Sequence, residues 1–253
     1  MDERPRDASM NTQTLHEQVA WASRILGMDG HGDFTLGHVS ARDGDRVHMK
    51  RNGISLEEVC PPDVLTIDLD GKKTAGEGKV HLEAVLHTAV YGARPDVHAV
   101  IHTHPPYSSA FGATDAKLAL INHDAVLFHD GLAYFDDTAE LITRPDQGAA
   151  VAAALGDKRV VVMRGHGVLI AEQSVPWAVY TALTLERVLR LQSIARSLGN
   201  LLPMSPEMAA TIYPDKYRNE FVETYWKYLI RQVRRFSLDD GMDGIVDSEH
   251  FHA

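Results

Sequence analysis

The sequence predicts an α/β domain, and three observations carry that prediction. Residues 159–163, Arg-Val-Val-Val-Met, form a continuous apolar, β-branched run, the pattern of a strand buried on both faces. Val97-His98-Ala99-Val100 starts a second such run, which ends in Ile101-His102-Thr103-His104-Pro105-Pro106; the two prolines stop it because neither has an N–H to give a ladder. Around these strands lie stretches whose apolar residues recur every three to four positions, such as Leu82, Val85, Leu86, Ala89 and Val90. At 253 residues, with 44% apolar and 24% charged residues, one domain with a core of ordinary size is expected.

Taken in order, residues 1–11 are polar and charged with no apolar stretch, and read as a disordered leader rather than a signal peptide. Thr14 and Glu17 have capping-box spacing; Leu15, Val19, Ala22 and Leu26 then share a helical face, and Gly27 is placed to end that helix. Gly37-His38-Val39-Ser40 is small and polar and reads as a turn between strands. Residues 46–50 alternate like a strand and lead to a turn at Asn52-Gly53; a short helical turn follows at 55–58, then a strand at 64–69 with a hairpin turn at Asp70-Gly71. A helix is expected from about Val80 to the stop at Arg94-Pro95, directly before the His-x-His strand. After a short helix at 107–112, residues 116–128 fit a strand or a helix equally well. An alanine-rich helix at 146–155 ends at Gly156, and the strand at 159–163 runs into Arg164-Gly165-His166-Gly167 before Val168-Leu169-Ile170 resumes as a strand. Pro176 opens a long helix ending near Gly199-Asn200. Residues 214–236 read as a last helix whose Tyr217, Phe221, Tyr225, Leu229 and Val233 recur every four positions, either a core face or an aromatic lid or subunit contact. The folded domain is thus expected over 12–236, with 237–253 a flexible acidic tail.

Charge and cysteine usage narrow the function classes. A net charge of −10 argues against nucleic acid or an anionic membrane as partner. Cys60 is the only cysteine, so no intrachain disulfide forms, and a cytoplasmic protein is expected. No apolar run approaches the ~18 residues of a membrane span.

Candidate chemistry collects at three places. Strand side chains alternate, so His102 and His104 fall on one face and could take one metal ion; two unrelated loop histidines are the plainer reading. His166 stands between two glycines after an apolar strand, either a third imidazole for that ion or a loop histidine in a turn. Three neutral imidazoles on a divalent cation leave coordination positions open, the mark of a catalytic site. Glu83, at the start of a helix, is suited to moving a proton, with His87 one turn further on.

Together these features resemble the class II aldolase/adducin family in order and spacing from about Leu15 to Gly199. The resemblance rests on Gly37-His38-Val39-Ser40, Asn52-Gly53-Ile54, Pro62-Asp63-Val64 with Asp68-Leu69-Asp70-Gly71, Glu83 with His87, His102-Thr103-His104-Pro105 and Gly165-His166-Gly167. It implies a three-layer α/β/α domain around a mixed sheet, assembled as a homotetramer. It also implies one divalent metal per subunit on His102, His104 and His166, with Glu83 as acid/base; imidazole ligands suit Zn, Mn, Fe or Co alike.

The departures point to the substrate. Sugar-phosphate aldolases of the family hold phosphate with Gly-Asn-x-Ser, Thr-Gly and Ser-Ser-Glu elements, where this chain has Gly37-His38-Val39-Ser40, Asn52-Gly53 and His81-Leu82-Glu83. Leu82 offers no donor, and a phosphate needs several. The expected substrate is therefore a small carboxylate held by His38, Ser40, Asn52, Gly53 and His81, as in the branch that decarboxylates hydroxylated aromatic or pyridine carboxylic acids. Aldol cleavage and oxidative decarboxylation by a non-haem iron are alternatives within the family; a non-catalytic, adducin-like role fits poorly with three retained histidines and Glu83.

Overall fold

The structure, a computed structural model, describes residues 12–236. The expected leader and acidic tail lie outside the described residues. Eight strands form one mixed sheet: β1 (His38–Asp43), β2 (Arg46–Lys50), β3 (Val64–Asp68), β4 (Lys73–Ala75), β5 (Ala99–Thr103), β6 (Ala133–Phe135), β7 (Val160–Met163) and β8 (Gly167–Glu172). Their spatial order is β4-β3-β2-β1-β5-β8-β7-β6, and every neighbouring pair is antiparallel except β6 with β7.

Helices cover both faces, which gives the expected three layers. The helices are α1 (Thr12–Leu26), α2 (Ala84–Ala93), α3 (Pro106–Gly112), α4 (Pro145–Leu155), α5 (Val175–Leu198), α6 (Pro206–Lys216) and α7 (Asn219–Phe236). Successive strand residues feed two separate cores, as a period of two requires. Val39, Ala41, Ala99, Ile101, Val160, Val162, Val168 and Ile170 pack with α1, α5 and α7. Val100, Val161, Met163, Leu169 and Ala171 pack with α2 and α4 on the other side. The run at 160–163 is buried at every position because both sheet faces are covered there.

Several elements depart from expectation for identifiable reasons. Gly37-His38-Val39-Ser40 is not a turn: from His38 onward it is central strand β1, paired with β2 and β5. Its small polar residues mimic a turn, but they are fully buried against polar side chains of α2. Helix α2 begins at Ala84 rather than Val80, because His81 to Glu83 form a turn closed by Ala84 N–H to the His81 carbonyl at 3.1 Å. Helix α1 already contains Thr12, so the Thr14/Glu17 pattern is not its start. Within 116–128 the only regular element is a 3₁₀ turn, Asp124–Phe128.

The expected last helix is two helices. Ser205 caps α6 by accepting Met208 N–H at 3.2 Å, with Pro206 in the first turn, and the chain breaks at Tyr217 before α7. The buried stripe of α7 is Val222, Trp226, Ile230 and Val233; the first three stand one position after the expected Phe221, Tyr225 and Leu229, and only Val233 is shared, while Tyr225 and Tyr228 are 44% and 47% exposed. Truncating the buried indole should therefore matter and truncating its exposed neighbour should not. Trp226→Ala is expected to cost about 3–5 kcal/mol in denaturant unfolding, and Tyr228→Ala no more than about 0.5 kcal/mol. Equal losses in the two variants would put the packing face elsewhere.

Candidate metal centre

Strand register builds the site. In the β1–β5 ladder His38 lies opposite His102, and Ser40 opposite Val100, so all of these side chains face α2. Strand β5 ends at Thr103, and His104 continues past it to bring its Nε2 within 3.1 Å of His102 Nε2. The hairpin from β7 to β8 supplies His166. Gly165 adopts φ +66° in that tight turn, and His166 N–H bonds the Met163 carbonyl at 3.1 Å. Gly167 makes room for the arrangement: a Cβ there would stand 2.5 Å from His104 Cδ2 and 2.7 Å from the Thr103 carbonyl oxygen.

These three histidines fit a divalent cation. Their candidate ligand atoms all lie within 4.8 Å of one another. His102 is fully buried and shares its Nδ1 with the Val168 carbonyl at 3.0 Å, which fixes the proton there and leaves the Nε2 lone pair facing the cluster. Two nitrogens each about 2.0–2.1 Å from one metal stand roughly 2.9 Å apart at right angles and about 3.4 Å apart in a tetrahedron; the 3.1 Å between the Nε2 atoms of His102 and His104 falls inside that interval. Burial pushes His166 down to about 4 and holds His102 well below the usual histidine range, so both are neutral at pH 7, as metal ligation requires. The side chains of His104 and His166 are 15% and 9% exposed against 0% for His102, so the cluster opens to solvent on their side.

Glu83 sits at the back of this cluster. It occupies the residue before α2 but does not cap the helix. Its Oε1 instead accepts Ile142 N–H at 3.0 Å and lies 3.4 Å from His166 Nε2, while Oε2 lies 3.7 Å from His102 Nε2 and 3.6 Å from His38 Nε2. The carboxyl is 2% exposed, and burial pushes it up to about 7 against the opposing pull of the Ile142 amide. At neutral pH it can therefore both hold and release a proton.

His38, His81 and Glu83 form a second group with ligand atoms within 4.8 Å. It fits a metal less well. The Glu83 backbone N–H donates to His81 Nδ1 at 3.3 Å, so the neutral ring carries its proton on Nε2 and presents a donor there. His81 is neutral, pushed down to about 4 mainly by burial. Such a donor suits an anionic oxygen better than a cation.

The other expected substrate contacts are placed differently from one another. Ser40 is buried behind His38 with its hydroxyl between His87 and Tyr91. Asn52 and Gly53 form the turn after β2, where Asn52 N–H bonds the Lys79 carbonyl at 2.9 Å; among the described residues neither bonds a site histidine. His87, read from sequence as packing or as orienting Glu83, instead bonds His38 Nδ1 and Ser40 Oγ, each at 2.6 Å. Tyr91 had no signal in the sequence beyond falling two turns after Glu83.

Single replacement of His102, His104 or His166 by Ala should remove bound metal from a protein that remains folded by circular dichroism. Gly167→Ala should weaken metal affinity about tenfold or more by displacing His104. Stoichiometric metal in all three histidine variants would locate the ion elsewhere.

The sequence and fold have relatives. The sequence model of the Class II Aldolase and Adducin N-terminal domain matches residues 17–193. A 3,4-dihydroxyphthalate decarboxylase of Arthrobacter keyseri is 29% identical over 234 residues, 86% of this chain and 93% of the relative. An L-fuculose phosphate aldolase of Methanococcus maripaludis is 29% identical over 166 residues, 64% of this chain and 87% of the relative. The crystal structure of an aldolase II superfamily protein from Pseudomonas syringae superposes with a TM-score of 0.81 at 26% identity, covering 90% of this chain and 95% of that one. With the match spanning α1 to α5 and all eight strands between, the chain belongs to the class II aldolase and adducin family.

Proposed function

We propose that this protein is a metal-dependent carbon–carbon lyase, and specifically a decarboxylase of a hydroxylated aromatic or heteroaromatic carboxylic acid that carries no phosphate. The observation that carries the reading is Glu83: a buried carboxyl whose oxygens lie 3.4 Å from His166 Nε2 and 3.7 Å from His102 Nε2, beside three metal-competent histidines. The decarboxylase among the relatives, aligned over most of both chains, supports the same branch. So does the residue set around Glu83, where the exposed Leu82 offers an apolar surface and His81 one N–H donor, a poor set for phosphate.

In this reading His102, His104 and His166 hold one divalent cation, Zn, Mn, Fe or Co, which when bound supplies Lewis-acid stabilisation of negative charge developing on substrate oxygens. His81 holds the substrate carboxylate with its one neutral N–H donor; His38, fully buried with its Nε2 toward Glu83, lies behind it. Asn52 and Gly53 act from the turn that is tied through Lys79 to the approach to His81. The bond from the ring carbon to the carboxylate breaks, carbon dioxide leaves, and the electron pair stays on the ring carbon. Glu83 gives its proton to that carbon and is left as a carboxylate. We take the active form to be a homo-oligomer, a tetramer by family resemblance, acting in the cytoplasm; no helix among the described residues is long and apolar enough to cross a membrane.

Two measurements test this. Glu83→Gln should keep metal and substrate affinity and lose about 10² to 10⁴ in turnover; near-normal turnover would remove Glu83 as the proton donor, and lost metal would make it a ligand. The metal-loaded protein should release carbon dioxide from 3,4-dihydroxyphthalate or a related hydroxylated aromatic acid, without dioxygen uptake. Efficient cleavage of fuculose phosphate instead would make the protein an aldolase.

A further inference from the structure

Helix α2 and strand β1 share an unusual polar seam. Four residues of helix rise about 6.0 Å and two residues of strand about 6.7 Å, so Glu83, His87 and Tyr91 keep step with His38, Ser40 and Arg42. The contacts follow that match. His38 Nε2 lies 3.6 Å from Glu83 Oε2; His38 Nδ1 meets His87 Nε2 at 2.6 Å; His87 Nδ1 meets Ser40 Oγ at 2.6 Å; Ser40 Oγ meets the Tyr91 hydroxyl at 2.7 Å. Arg42 closes the seam with an N–H to the Tyr91 carbonyl at 2.8 Å. His38, Ser40 and His87 are fully buried and Tyr91 is 2% exposed. Apolar side chains would fill this helix–sheet interface at less desolvation cost, so packing alone does not account for the chain.

Counting protons gives the chain a direction. Two hydroxyls and two neutral imidazoles carry four mobile hydrogens, and burial keeps both rings neutral, His87 at about 3 and His38 well below the usual range. Three internal contacts use three of the four. The fourth sits at one end. Among the described residues the Tyr91 hydroxyl has no acceptor except Ser40 Oγ, whereas His38 Nε2 has no bonded partner and faces the Glu83 carboxyl. The hydroxyl of Tyr91 thus donates to Ser40, Ser40 donates to His87 Nδ1, His87 Nε2–H donates to His38 Nδ1, and His38 keeps its proton on Nε2. A proton shuttle would need a donor beyond Tyr91 to refill it, and there the phenol meets the Val100 backbone N–H, which does not give up its proton to a relay.

We propose that Ser40 and His87 are positioning residues that hold His38 as its Nε2–H tautomer aimed at Glu83, so that His38 stabilises the carboxylate left when Glu83 gives up its proton. This rests on Glu83 as proton donor; it assigns His38 to Glu83 and leaves His81 to the substrate carboxylate. Without the Ser40 hydroxyl, His87 loses the donor that fixes its own tautomer, and His38 loses its fixed tautomer in turn.

The test is imidazole ¹⁵N spectroscopy of the full-length, zinc-loaded protein with labelled histidine, the His38 signals assigned by their loss in His38→Gln. The wild-type spectrum should show His38 protonated on Nε2 and accepting on Nδ1. Ser40→Ala should mix or reverse that tautomer and, with 3,4-dihydroxyphthalate as probe, lower kcat about 10- to 100-fold at little-changed KM; Ser40→Thr, which keeps the hydroxyl, should restore both. A wild-type His38 protonated on Nδ1, or the same His38 tautomer in Ser40→Ala as in wild type, overturns the proposal, and the wild-type spectrum decides even if Ser40→Ala does not fold. Full turnover in Glu83→Gln would sink the proton-donor reading separately, without altering these spectra.

Discussion

The antiparallel register that sets His38 opposite His102 is the constraint on which the site depends. It puts a histidine from each of two central strands on the same sheet face, directly under α2. The β5–β8 pairing, with Thr103 opposite Val168, then brings the β7–β8 hairpin and His166 to the same end of the sheet. A slip of one residue in β1 would turn His38 and Ser40 toward the apolar core of α1 and α5 and Val39 toward Glu83. Burial of Val39, Ala41, Ala99 and Ile101 on the far side holds that register, so the apolar core of one face positions the polar chemistry of the other.

Such a cluster is costly to bury, and the residue types keep the cost manageable. A histidine can shed its charge where a lysine or arginine cannot do so easily, and desolvation is the first cause lowering His38, His81, His87, His102 and His166 alike. Glu83 meets the same penalty from the other side and is pushed toward its neutral form. The result is a set of neutral imidazoles at pH 7 around a carboxyl poised between its protonated and ionised forms, able to accept a cation, accept an anion or exchange one proton. A cation at His102, His104 and His166 would favour the ionised form of Glu83, which ties its proton release to occupancy of the site.

How much of this was legible in the sequence follows from the kind of signal each residue gives. His102, His104 and His166 were readable because their neighbours are informative: an apolar strand, two prolines, two flanking glycines. Glu83 was readable as the head of a helix, although its true position precedes the helix and its side chain points to Ile142. His38 and Ser40 are singled out by family resemblance as substrate contacts, but the strand they occupy is not legible, because local polarity signals exposure and the polar residues that bury them lie more than forty positions away. The role of His87 was hidden for the same reason. At the C-terminus, five aromatic and aliphatic residues at four-residue spacing imitated one helix; the break at Tyr217 and the cap at Ser205 shift the buried stripe to Val222, Trp226 and Ile230. Sequence periodicity locates a helix more readily than it fixes which face is buried.

The central claim is that His102, His104 and His166 hold the metal while Glu83 stays free to move a proton. Crystals grown from zinc-loaded protein, with anomalous scattering recorded above and below the zinc edge, test it directly. The account predicts one anomalous peak about 2.0–2.2 Å from one nitrogen of each of the three histidines, with the Glu83 oxygens outside bonding distance. A peak lying between His38, His81 and Glu83, or a Glu83 oxygen within the coordination sphere, would contradict it.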